Sequence, residues 1–173
     1  TEIKAIAISG VQGDGTATAR LTGYEKGVTE AGGEFLKDEI QYADAVADKA
    51  ATSMEAIMQN HPEGVAIIVC NNDDMALGAI NALVNAGYNL PGGEGCTVIP
   101  VFGVDATDAA KELIANKQMT GSIKQDAEGM ADAVATITAN LIAGKDKFEG
   151  LNENYEVVDG WTVNIPYSVY TGE

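Results

Sequence analysis

The segment Val65-Ala66-Ile67-Ile68-Val69-Cys70-Asn71-Asn72-Asp73-Asp74-Met75-Ala76-Leu77-Gly78-Ala79 changes character twice. Its first part is apolar without alternation, as in a strand covered on both faces. Polar side chains from Asn71 to Asp74 follow, and then residues suited to a helix over 74–86. A buried strand that ends in a polar turn and opens a helix is the building unit of a parallel sheet. The same unit recurs on either side. Toward the N-terminus, residues 3–9 form an apolar strand, Gly10-Val11-Gln12-Gly13-Asp14-Gly15 a glycine-rich turn, and residues 16–31 a helix stopped by Gly32-Gly33. A more polar strand over 34–42 and a helix over 44–60 come next, the helix carrying Val46, Ala50, Met54, Ile57 and Met58 on one face. Toward the C-terminus the pattern predicts a buried strand at 98–104, a helix at 106–116, a short strand at 120–124 and an amphipathic helix at 127–142. Met130, Val134, Ile137 and Leu141 mark the apolar stripe of that helix. A polar loop over 144–154 precedes two short strands near 155–158 and 161–164. Alternation of this kind predicts an α/β fold with a doubly wound, open parallel sheet.

Bulk properties narrow the functional classes. With 173 residues and 46% hydrophobic side chains, the chain can bury a sizeable core. A formal net charge of -16 repels phosphate backbones and anionic membranes, so no nucleic-acid partner is expected, whereas neutral or cationic small ligands fit. No apolar run reaches the roughly 18 residues of a membrane span. The start, Thr1-Glu2-Ile3-Lys4-Ala5, carries no signal-peptide pattern, which leaves a cytoplasmic protein or a preceding segment outside this sequence. Cys70 ends one expected strand and Cys96 precedes the next. A five-residue strand spans about 17 Å, while a disulfide tolerates about 7 Å between Cα atoms. Two free thiols are therefore expected. His61, in His61-Pro62-Glu63-Gly64, is expected as a surface loop residue at the rim away from any chemistry.

Ligands of open parallel sheets bind beyond the carboxyl ends of the strands. Asp14, Thr16 and Arg20 follow the first expected strand, Asn71 to Asp74 the third, Asp105-Ala106-Thr107 the fourth and Gln125-Asp126 the fifth. Carboxylates accept two hydrogen bonds, a guanidinium donates two in a plane, and an amide does one of each, which suits a polyhydroxylated ligand. The set is poor for catalysis: it lacks a histidine and a nucleophile with a base. Asp73 and Asp105 could pair for glycoside hydrolysis, but Asp73 is expected to cap the following helix. Gly13-Asp14-Gly15-Thr16 lacks the remaining features of a dinucleotide or phosphate loop, and no stretch supplies a calcium loop. No cofactor, metal or catalytic residue is expected.

With those residues in place a resemblance is visible. The segment from Val69 to Ala79, Pro100-Val101-Phe102-Gly103-Val104-Asp105-Ala106, Thr120-Gly121-Ser122-Ile123-Lys124-Gln125-Asp126 and Asn164-Ile165-Pro166-Tyr167 resemble, in order, motifs of the galactose/glucose- and ribose-binding proteins of bacterial ABC transporters, the periplasmic-binding-protein-like I family. Singly, the Asn-Asp-x-Met-Ala segment is shared with sugar-responsive LacI-type transcription repressors, whose effector domain is the alternative reading. The resemblance implies one lobe of a two-lobed fold. Residues 1–124 would form the sugar-binding C-terminal lobe, 125–164 hinge crossings and a helix that docks on an N-terminal lobe, and 165–173 the return crossing and tail. It implies a monosaccharide such as galactose, glucose or ribose as ligand and an ABC permease as partner. Location would be periplasmic or extracellular, lipid-anchored in a Gram-positive cell. Arg20, Asn72, Asp105 and Gln125 match the family's sugar contacts. Asp14 and Thr16 fall where galactose-type proteins touch sugar, with different residue types. The family's stacking aromatic corresponds to Ala45; either nearby Tyr42 replaces it or this side of the sugar is not stacked. The chain begins where the family's second lobe begins. Its 127–142 stripe therefore lacks its usual partner, as in part of a longer protein or in two copies covering each other's faces.

Overall fold

The computed structural model describes residues 3–172; Thr1, Glu2 and Glu173 lie outside the described residues. The elements run β1 (Lys4–Ser9), α1 (Gly15–Glu30), β2 (Glu34–Phe35), a 3-10 turn (Lys37–Glu39), β3 (Gln41–Tyr42), α2 (Ala47–Asn60), β4 (Ile67–Cys70) and α3 (Asp73–Asn85). Then follow β5 (Val101–Asp105), α4 (Asp108–Ala115), β6 (Gly121–Lys124), α5 (Ala127–Ala143), β7 (Glu156–Val158), β8 (Thr162–Asn164) and β9 (Ser168–Tyr170). Two compact units emerge: residues up to Ile123 together with those from Val169 onward, and Lys124–Ser168.

The first unit holds a seven-stranded sheet in the order β2-β1-β4-β5-β6-β9, with β3 also on β1. β1 pairs in parallel with β2, β3 and β4, and β4 with β5. One face of the central strands packs on α2 and α3. Ile6, Ile8, Ile68, Cys70 and Val101 join Met54, Ile57, Met75, Ile80 and Leu83 of α2 and α3 in one buried cluster. Ala5 and Ala7, on the alternate positions of β1, are equally buried, which is how a strand covered on both faces comes to read as an unbroken apolar run. Gly78 fixes how near α2 and α3 lie, because a Cβ there would run into the Ala47 carbonyl.

Several boundaries differ from the sequence-based expectation, for physical reasons. The strand expected over 34–42 is broken by the 3-10 turn, where polar Lys37, Asp38 and Glu39 interrupt the pairing and leave two short pieces on β1. α2 starts at Ala47, since Asp44 and Ala45 hold φ of 50° and 61° and cannot be helical. β5 starts at Val101, since the Asn89 amide takes the Ile99 backbone: its Oδ1 accepts from the Ile99 N–H at 2.8 Å and its Nδ2 donates to the Ile99 carbonyl at 2.8 Å. β9 was not expected as a strand; the short run Ser168–Tyr170 carries no apolar block of its own. His61 is more than a surface loop residue. Its side chain is 10% exposed and lies between Glu39 Oε2, 2.5 Å from Nε2, and Glu63 Oε1, 3.3 Å from Nδ1. Hydrogen bonding to Glu39, above all, raises its pKa from the usual 6.5. Cys70 and Cys96 are both free thiols, as the strand spacing implied.

In the second unit, α5 is followed by the antiparallel hairpin β7–β8. Gly129, Ala133 and Asn140 form its buried side, and Asn140 Nδ2 donates to the Glu149 carbonyl at 2.7 Å. Of the expected apolar stripe, Met130, Val134 and Leu141 are exposed, at 40%, 66% and 61%, and Ile137 is half-buried. No helix among the described residues is long and apolar enough to cross a membrane.

Candidate ligand-binding site

The parallel pairing of β1, β4 and β5 brings their C-terminal ends to one rim, and the loops there carry most of the polar residues singled out from sequence. After β1, Asp14 caps α1: its Oδ2 accepts from the Ala17 N–H at 2.8 Å. Thr16 sits exposed in the first turn of that helix, and Arg20 one turn further on. The Arg20 guanidinium donates through Nη1 to the Asn71 carbonyl at 2.5 Å, which ties α1 to the end of β4. After β4, Asn72 caps α3, its Oδ1 accepting from the Met75 N–H at 3.0 Å. That commits the amide oxygen and leaves the NH2 as the group that can donate to a ligand. Asp14, Thr16, Arg20 and Asn72 all line one open recess, together with Asn71 and Met75.

On the β3 side the recess wall is Ala45, whereas Tyr42, half-exposed beside Ser9 in the β1–β3 pair, does not line it. Asp105 ends β5 with a φ of 120°, and Ala106 follows at 51°. The Asp105 carboxylate and the Arg20 guanidinium act in opposite directions on the buried Tyr24 phenol, which donates to the Cys70 carbonyl at 2.9 Å. Burial, above all, pushes the Tyr24 pKa up, and it does the same to the Cys70 thiol. Both groups stay protonated at neutral pH and offer no nucleophile. Gln125 follows β6 and belongs to the second unit, one residue before Asp126, which caps α5 by accepting from the Gly129 N–H at 3.0 Å.

The expectation that Asp73 caps α3 is corrected. Asn72 takes that role, and Asp73 turns inward, 2% exposed. Its Oδ2 accepts from the Thr107 N–H at 2.8 Å and its Oδ1 from the Ser122 hydroxyl at 2.7 Å. Desolvation raises its pKa, opposed by those two hydrogen bonds. Ser122 is not singled out from the sequence, and Asn71, named there in the strand-end set, has a role that the sequence does not assign. Ser122 Oγ accepts from the Ala106 N–H at 3.0 Å. Asn71, buried, donates to Ser9 Oγ at 3.1 Å and to the Ala17 carbonyl at 3.3 Å, while its Oδ1 has no partner. For Asn71 and Asp73 only the polarity of Asn71-Asn72-Asp73-Asp74 was a signal; which of consecutive Asn and Asp residues caps and which turns inward depends on tertiary contacts. Among the described residues no cluster of three His, Cys, Asp or Glu side chains could hold a metal ion.

Comparison with known proteins identifies the family of the chain. Residues 1–146 match the periplasmic binding protein domain family. The chain is 36% identical over 103 residues to the D-galactose/methyl-galactoside binding periplasmic protein of Haemophilus influenzae, an alignment that covers 60% of this chain and 28% of that one. An ABC transporter solute binding protein from Bacillus halodurans, solved with bound myo-inositol, superposes at a TM-score of 0.74 with 26% identity over 99% of this chain and 52% of its own. An ABC transporter periplasmic solute binding protein from Actinobacillus succinogenes, solved with bound D-allose, has the same fold, with a TM-score of 0.77 and 20% identity over 99% of this chain and 53% of its own. The chain thus spans about half the length of the structures it matches. Matched to that family's model over residues 1–146, most of its length, the chain belongs to the periplasmic binding protein domain family.

Proposed function

We propose that this chain supplies the sugar-gripping lobe of a solute-binding protein that captures a monosaccharide outside the cytoplasm, in the periplasm or at the cell surface, and delivers it unchanged to an ABC permease. The observation that carries the reading is the convergence of Asp14, Thr16, Arg20 and Asn72 on one recess at the carboxyl rim of the sheet, with Asp105 presented at the same rim. Planar donors and acceptors of this kind bracket neighbouring hydroxyls, and polar groups already fixed by neighbours reject ligands that leave them unpaired. Arg20 is fixed through one nitrogen by Asn71, which leaves the rest of its fork for the ligand. Asp105 accepts from ring hydroxyls, and Gln125 contributes on the segment where the chain leaves the first unit. The chain leaves that unit after Ile123 and returns at Val169, and these crossings are the candidate hinge for closure over the ligand. Protonated Tyr24 and Cys70 and a rim without a nucleophile favour binding over chemistry.

A thermal-shift screen of the whole protein against D-galactose, D-glucose, D-ribose, D-allose and myo-inositol tests the reading. At least one is expected to raise the melting temperature, by an amount that grows with the logarithm of its concentration relative to Kd, and to be recovered unchanged. A panel without a single stabilising sugar, or one converted during incubation, counts against it.

A further inference from the structure

Asp105 and Ala106 are consecutive non-glycine residues at φ of 120° and 51°. Each such conformation is strained for an L-residue and persists only where the surroundings over-determine it. The surroundings here are two buried polar side chains. The N–H groups that flank and follow the strained pair are those of Ala106 and Thr107. The first donates to Ser122 Oγ at 3.0 Å and the second to Asp73 Oδ2 at 2.8 Å. The Ser122 hydroxyl in turn donates to Asp73 Oδ1 at 2.7 Å, which closes a ring of hydrogen bonds around the turn. Asp73 and Ser122 are each 2% exposed, so water does not substitute for either. The space for the carboxylate exists only because residue 103 is glycine; a Cβ there would collide with Asp73 Oδ1 and crowd Met119. Thr107 then caps α4 through the Ala110 N–H at 3.2 Å, so the turn is anchored on its far side as well.

We propose that Asp73 and Ser122 are positioning residues that hold the Asp105–Ala106 backbone in its left-handed form before ligand arrives, so that the Asp105 carboxylate meets the sugar already set. The inference deepens the functional reading above and rests on Asp105 as a ligand contact. Preorganisation of this kind raises affinity by removing the cost of ordering the loop on binding. Hydrogen bonding, not charge, does the holding. An amide at position 73 can accept from the Thr107 N–H through its oxygen and donate to Ser122 Oγ through its nitrogen.

The test uses the whole protein and the variants D73A, S122A, D73N and D73A combined with A106G. Amide hydrogen exchange without ligand, and calorimetric titration with D-galactose, D-ribose, D-allose and myo-inositol, are the readouts. In D73A and S122A, exchange is expected to quicken at Ala106 and Thr107 while Ile6 and Ile68 stay protected. Affinity for whichever probe binds is expected to fall about tenfold, the equivalent of one unsatisfied buried group. D73N is expected to recover most of that loss, and A106G to recover part of it in D73A, because glycine removes the strain the ring was holding. Unchanged exchange at Ala106 and Thr107 in both D73A and S122A overturns the proposal. So does exchange that quickens evenly through the core in S122A, or a failure of both D73N and A106G to recover affinity. If the wild type binds none of the probes while the local exchange pattern holds, the sugar reading falls and the ring stands.

Discussion

Asn72 does two jobs that can be separated by substitution. Its oxygen caps α3, and in the proposed function its NH2 donates to the ligand. Replacement by Ala removes both, at about 1 kcal/mol of stability for the cap and roughly 2–4 kcal/mol of sugar affinity for a polar partner left unpaired. Replacement by Ser keeps the cap and loses the amide. Asn72→Ser is therefore expected to melt within a few degrees of wild type while losing sugar affinity; equal losses in both would mean that Asn72 is only a cap. His61 makes a different residue-scale prediction. Its folded pKa lies above 6.5 because Glu39 and Glu63 favour the imidazolium. A raised pKa means the protonated form is bound more tightly in the folded state. This stabilisation is fully present below pH 6.5 and is lost as pH rises through the folded value. The depressed pKa of exposed Glu63 works at the acid end, where its share is lost on protonation. His61→Gln should flatten the melting-temperature profile above pH 6.5, and an identical profile would remove the clasp from the account.

At the scale of elements, Gly78 controls the closest helix contact. Gly78→Ala places a Cβ against the Ala47 carbonyl, and α2 must shift or α3 must bend. A cost of about 3 kcal/mol is expected, at the upper end for overpacking, read as a lower urea midpoint with an unchanged slope. The apolar runs of β1 and β4 made the parallel sheet legible, because burial on both faces leaves little room for polar side chains. The edge was not legible. The 34–42 segment reads as one strand until Lys37, Asp38 and Glu39 fold into a turn, and β9 carries no periodic signal at all. The site divides the same way. Asp14, Thr16, Arg20 and Asn72 could be placed at the rim because each follows a strand, and they line one recess. Asn71 and Asp73 could be placed at the same rim, but their roles were not legible: the inward turn of Asp73 is fixed by Thr107 and Ser122, both distant in sequence, and Asn71 bonds Ser9 and Ala17 on another βα unit.

Across the whole molecule, charge and hydrophobic exposure set the behaviour. A net charge of -16 opposes compaction by self-repulsion, and salt screens it. Raising the ionic strength from 20 to about 200 mM shortens the screening length to below 10 Å and should raise the melting temperature of the ligand-free protein. A melting temperature that falls with salt would point instead to ion pairs as the dominant electrostatics. The exposed stripe on α5 is the other molecular-scale feature, and its apolar side chains are unusual for a surface that water covers.

The central claim is that polar side chains from separate strand-end loops grip one uncharged, polyhydroxylated ligand reversibly. Calorimetric titration of the whole protein with the five sugars and cyclitols, repeated for Asp105→Ala, tests it most directly. Saturable one-site binding of at least one of them, weakened by two orders of magnitude or more in Asp105→Ala, is the expected result. Binding that survives the substitution at wild-type strength, or a protein indifferent to every polyol offered, would contradict it.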